Sequence, residues 1–127
     1  PLLFCHIYDR NKGGFFMDNI QSLISMFPQV IASELVQIPP VLWKDGEELR
    51  FRIGHPALLI SSGKEYRISG QSLNNVKQDL LNDIINRFLN YSDHAHLDEL
   101  RQGYVMLTGG HRAGFCGHLP TIRFLSE

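Results

Sequence analysis

From Asp18 onward, Ile20, Leu23, Ile24 and Phe27 recur at i, i+3, i+4 and i+7, the spacing that lines one face of a helix, and Pro28 ends the run. A second short helix is expected from about Gln29 to Leu35, with Val30, Ile31 and Leu35 turned inward. Pro39-Pro40 then breaks helical continuity and opens an irregular stretch. In Glu48-Leu49-Arg50-Phe51-Arg52-Ile53 the period drops to two. Leu49, Phe51 and Ile53 therefore share a core face, and Arg50 and Arg52 share the opposite one. The runs 56–60 and 65–68, separated by Ser61-Ser62-Gly63-Lys64, read as a hairpin. The strongest helical signal follows Ser72, its expected cap. Val76, Leu80, Leu81, Ile84, Ile85, Phe88 and Leu89 make one broad apolar face that ends near Tyr91. Asp93 caps a further short helix through Arg101, with Gly103 placed to terminate it. Residues 104–108 and 113–116 pair as strands around Gly109-Gly110-His111-Arg112. The resulting class is α+β: N-terminal helices and a small mixed or antiparallel sheet with one long amphipathic helix packed on it.

The first sixteen residues admit two readings. Either they are an extension ahead of a start at Met17, or Leu2 to Tyr8 is an ordered strand packed on the domain. The expected division is an extension over 1–16, a domain over 17–117 and a divergent tail over 118–127.

A length of 127 residues fits one domain, and 43% apolar content suffices for a core. Twelve Lys+Arg against thirteen Asp+Glu give a net charge of −1, and neither half, divided after Gly63, has a basic excess. Electrostatic capture of nucleic acid or of an anionic membrane is thereby disfavoured. No run approaches the roughly 20 apolar residues of a membrane span, so no membrane insertion is expected. Two cysteines, Cys5 and Cys116, and the lack of a leader-like N-terminus favour the cytoplasm. Asn90-Tyr91-Ser92 matches a glycosylation acceptor only by chance on that reading.

Among chemical motifs, the phosphate-binding G-x-x-x-x-G-K-[ST] pattern is absent. The single Gly63-Lys64 pair is followed by Glu65, which has no hydroxyl for magnesium. No Rossmann fingerprint occurs either. His94, His96, His111, His118 and Cys116 offer metal-ligand chemistry, but their spacing does not assemble a zinc site, so no metal is expected. Cys116 beside His111 or His118 is more readily a packing thiol than a nucleophile. Gly114-Phe115-Cys116-Gly117 matches the G-x-x-G of KH-type RNA modules, yet without a basic residue between the glycines. A small nucleic-acid-binding module is the alternative function. The dense run from Asp98 to Gly114 gathers Arg101, His111 and Arg112 near turns, where a guanidinium fork takes a carboxylate or phosphate in two parallel hydrogen bonds. The competing reading pairs Arg101 or Arg112 internally with Asp98 or Glu99, the glycines only serving positive-φ turns.

Tyr91-Ser92, Glu99-Leu100-Arg101-Gln102-Gly103-Tyr104 and Gly109-Gly110-His111-Arg112-Ala113-Gly114-Phe115-Cys116-Gly117 resemble the stretch ahead of the ATPase core in the stage III sporulation protein AA family. Leu49-Arg50-Phe51-Arg52-Ile53-Gly54-His55-Pro56 is similar to that family's R-x-R-x-G-R-P stretch, with His55 in place of the usual Arg. The resemblance covers about residues 18–117. It implies an α/β domain preceding a hexamer-forming ATPase akin to type II and type IV secretion ATPases, in the mother-cell cytoplasm of endospore-forming bacteria. The tail from His118 departs from the family pattern, so the chain is read as shortened, without ATP-hydrolysing machinery and not itself an enzyme. No cofactor is expected in this chain, with ATP and magnesium implied for the full-length family. The implied partners are the ATPase core, neighbouring subunits and sporulation channel membrane proteins, with no nucleic acid. By resemblance, Arg101, His111 and Arg112 are contact or nucleotide-proximal residues. Arg50 and Arg52 lie on an exposed sheet face, and Gly103, Gly109, Gly110 and Gly114 are turn glycines.

Overall fold

Period-two alternation around Arg50 produces a strand with one wet and one dry face, and the rest of the fold is built outward from it. The computed structural model describes residues 2–7, 16–90, 103–107 and 109–116. In chain order the elements are β1 (Leu2–His6), α1 (Phe16–Ser25), α2 (Gln29–Leu35), α3 (Pro40–Lys44), β2 (Gly46–Arg52), β3 (Leu58–Ser61), β4 (Lys64–Arg67), α4 (Gln78–Asn90), β5 (Tyr104–Met106) and β6 (Arg112–Cys116). The strands form one six-stranded sheet in the order β4-β3-β2-β1-β6-β5, every neighbouring pair antiparallel. The class is α+β, as the sequence pattern predicts.

Leu3 and Cys5 of β1, Leu49 and Phe51 of β2, Leu59 of β3, Val105 of β5 and Ala113 of β6 turn to one side. There they join Ile20, Leu23, Ile31, Leu35, Trp43, Ile84 and Phe88 of the helices in a single buried cluster. Phe27 holds the layers together. Its ring lies 5.7 Å from that of Phe51 in the sheet and 4.9 Å, edge to face, from that of Phe88 on α4. Arg87 of α4 donates from Nε to the Met26 carbonyl and from a terminal nitrogen to the Ser25 carbonyl, both at 3.2 Å. A cation thus meets the orphan carbonyls at the C-terminus of α1, an arrangement that contributes roughly 0.3–1 kcal/mol.

Several expectations change. Of the two readings of the N-terminus, the ordered strand is found: Leu2–His6 lies inside the sheet between β2 and β6, and residues 8–15 fall outside the described residues. Pro39-Pro40 does not begin an irregular stretch. Pro39 is the N-cap and Pro40 the first residue of α3, where a missing N–H costs nothing. The long helix starts at Gln78 and not near Ser72. Residues 70–76 are instead stitched to their neighbours. Ala57 N–H donates to Leu73 O at 2.8 Å, and Gly54 N–H and Val76 N–H donate to Val76 O and His55 O at 2.9 Å. From the other side the Glu34 carboxylate of α2 accepts the backbone N–H groups of Ser72 and Leu73 at 3.1–3.2 Å. The hairpin turn is tighter than expected: only Ser62 and Gly63 connect β3 to β4, both at positive φ. A bulge in β2 between Gly46 and Glu48 turns Glu47 aside, and its carboxylate accepts Gly63 N–H at 3.1 Å. The expected helix over 93–101 lies outside the described residues.

Candidate functional site

The candidate site is the sheet face turned away from the buried cluster. On β2 it carries Glu48, Arg50 and Arg52, on β3 Leu58 and Ile60, on β5 Tyr104 and Met106, and on β6 Arg112 and Gly114. None of these belongs to the core cluster. Register fixes their relation. Arg50 pairs with Phe4, which pairs with Gly114, which pairs with Tyr104. One step along, Glu48 pairs with His6, His6 with Arg112, and Arg112 with Met106. Arg50 and Arg112 are thus two strands apart and two residues out of line, about 12 Å on the diagonal at the usual spacings, a distance a single anionic loop or strand can span.

Within this face the guanidinium groups are held differently. Arg50 donates from Nε to Glu48 Oε2 at 2.8 Å, with the two side chains 37% and 15% exposed. Such a partly exposed pair contributes about 0.2–1 kcal/mol, and its larger effect is to fix where the Arg50 fork points. Arg112 is exposed, its guanidinium carbon 5.9 Å from the centre of the Tyr104 ring, a cation over an aromatic face. Arg52 is exposed at the end of β2, just before Gly54 turns the chain at φ +83°. Met106 is 39% exposed and adds an apolar contact at the β5 edge. The chemistry available is recognition: planar, permanently charged forks beside an aromatic ring and a soft apolar side chain.

His111 parts from its neighbour. It is 0% exposed, while its backbone carbonyl accepts Leu107 N–H at 2.8 Å, so its side chain is a core group here and not a surface contact. Arg101 lies outside the described residues. Gly103, Gly109 and Gly110 sit at φ +89°, +94° and +93°, turn positions as expected. Gly114 is not a turn glycine: it is buried in mid-strand on β6, opposite Phe4 and Tyr104. That placement also removes the geometric basis of the KH resemblance, whose G-x-x-G loop joins two helices.

Among the described residues the other reactive groups do not assemble into a site. Burial first, and the nearby Glu48 charge second, push the Cys5 thiol up to about 12, which suppresses the thiolate. Among the described residues no three His, Cys, Asp or Glu side chains stand together as metal ligands, and no helix is long and apolar enough to cross a membrane. A cleft of about 130 Å³ lies at the other end of the sheet, between Ile38, Pro39 and Leu42 on one side and Leu59, Tyr66 and Ile68 on the other. Sequence reasoning missed it, because it arises where α2 and α3 meet the β3–β4 hairpin.

Comparison with known proteins bears on the chain's family. Residues 19–122 match the family described as "Sporulation stage III, protein AA". The match begins after β1 and extends five residues past Gly117. The chain is 32% identical over 102 residues to stage III sporulation protein AA of Bacillus subtilis (strain 168), across 80% of its own length and 32% of the relative's. The chain therefore spans about a third of that relative. No solved structure matches it. By the extent of the family match and the identity to this relative, the chain belongs to the sporulation stage III protein AA family.

Proposed function

We propose that these residues form a non-catalytic assembly and regulatory domain of a sporulation ATPase, in the mother-cell cytoplasm, docking through Arg50, Arg52 and Arg112 onto the ATPase core or a neighbouring subunit. The observation that carries this reading is the face shared by the three arginines: it offers charge-assisted recognition of carboxylate or phosphate, and the one described carboxylate beside them, that of Glu48, is engaged with Arg50 at 2.8 Å. The sequence contains no phosphate-binding loop pattern, which supports a domain that steers ATP turnover without performing it. On this reading ATP and magnesium belong to the partner, and channel membrane proteins are reached through the assembled complex.

Phosphate release from magnesium-ATP tests the reading. The purified chain is expected to release none above the buffer blank, and adding it to the ATPase portion of a family member is expected to change that portion's turnover. Sustained release by the chain alone, abolished by no contaminant-removing step, would contradict the reading.

A further inference from the structure

The sheet ends at β4, and what that edge carries is self-complementary. With a two-residue turn, Ser61 and Lys64 form the hydrogen-bonded pair closing the hairpin, and pairs alternate from there. Leu59 with Tyr66 and Ala57 with Ile68 are the next bonded pairs, consistent with Ile68 N–H donating to Ala57 O at 3.0 Å. The N–H and C=O groups of Glu65 and Arg67 therefore point away from β3, along the outer edge. Among the described residues no strand pairs there. Lys64, Glu65 and Arg67 are exposed, and Tyr66 is half-buried at the mouth of the cleft floored by Leu42, Leu59 and Ile68.

We propose that β4 is a dimerisation edge that pairs antiparallel with β4 of a second copy of this chain, about a two-fold axis through Tyr66. An added antiparallel strand must bond at the residues whose groups point outward, so Glu65 and Arg67 must face Glu65 or Arg67 of the other copy. Three registers bring strand residues together under that rule. Centring on Glu65 sets two carboxylates opposite each other, and centring on Arg67 sets two guanidinium groups opposite each other; both arrangements repel. Centring on Tyr66 sets Glu65 against the partner's Arg67, and Arg67 against the partner's Glu65, in two bonded pairs. Tyr66 then meets the partner's Tyr66 as the closer, non-bonded pair, Cβ atoms about 4.5–5.5 Å apart, on the side of the cleft. Charges on an edge strand ordinarily repel foreign strands. Here their alternation leaves the edge open to its own sequence. The dimer edge lies at the opposite end of the sheet from β5, and it stands or falls separately from the docking role of Arg50, Arg52 and Arg112.

Sedimentation velocity on the full chain tests this. An interface of this small class predicts a dimer with a dissociation constant on the order of 100 µM. Glu65→Arg alone and Arg67→Glu alone each set like charges opposite one another, and each is expected to weaken the dimer at least about tenfold. Mixing the two variants in equal amounts restores opposite charges at both positions and is expected to restore dimerisation. The double variant Glu65→Arg/Arg67→Glu restores it within one chain. Because both side chains are exposed, circular dichroism of all variants is expected to match the parent. A parent that stays monomeric to about 1 mM, a dimer indifferent to either single reversal, or singles whose mixture does not recover would each overturn the proposal.

Discussion

Cys5 shows how much a single position depends on its neighbours across the sheet. By sequence it is one of two thiols with no partner motif; by register it sits opposite Leu49 and Ala113 at 0% exposure, with its ionisation opposed first by burial and then by the Glu48 carboxylate. A thiol whose folded value is raised stabilises the fold fully below its unfolded value of 9.0 and loses that contribution as pH climbs toward about 12. Stability is therefore expected to fall progressively from pH about 9 upward, and a Cys5→Ser or Cys5→Ala chain should lose less over the same interval. Urea denaturation across that range, with iodoacetamide mapping of the Cys5 peptide, measures both: the native thiol should stay unalkylated at pH 8 while the denatured one reacts. Which side chains face outward on β2 was readable from alternation alone, since Leu49, Phe51, Arg50 and Arg52 fall as their period dictates. The burial of His111 was not readable. A histidine between two glycines and an arginine looks like a turn tip, and only the pairing of β5 with β6 decides on which side of the sheet it lies.

Elements were legible where a local rule was uncontested. α2 occupies Gln29–Leu35 as the pattern after Pro28 predicts, with Ile31 and Leu35 buried, but Val30, expected inward, is 51% exposed. The start of α4 was displaced because Val76, which continues the apolar stripe, is taken by a parallel bridge to Ile53, and the backbone N–H groups of Ser72 and Leu73 are taken by Glu34. This clamp makes a sharp prediction. A Cβ on Gly70 would meet the Glu34 side chain at 1.8 Å from Oε1 and 2.7 Å from Cγ, so Gly70→Ala must drive Glu34 off its two backbone donors. Hydrogen bonds to a charged acceptor contribute about 1.5–3 kcal/mol, and Gly70→Ala is expected to cost about 1–3 kcal/mol in the parent. In a Glu34→Ala chain, where the clamp is already gone, the same substitution should cost little. Chemical denaturation of the four chains in a double-mutant cycle reads the coupling directly, and additive losses would refute the clamp.

At the scale of the whole molecule, the strand order was the part that sequence could not supply. β1 pairs with β2 and β6 across long separations, contacts that no turn motif announces, and it is this strand that sets Arg112 and Arg50 on one face at two-strand spacing. The sequence motifs bring the arginines into view; the register makes them a surface. The family assignment rests on residues 19–122, whereas the docking role rests on that surface. Isothermal titration of the chain into the ATPase portion of a family member is the most direct measurement of that role. The account predicts saturable binding that weakens at least about tenfold, the equivalent of about 1.4 kcal/mol, when Arg50, Arg52 and Arg112 are together changed to Ala. Binding of equal affinity by the parent and the triple variant would contradict it.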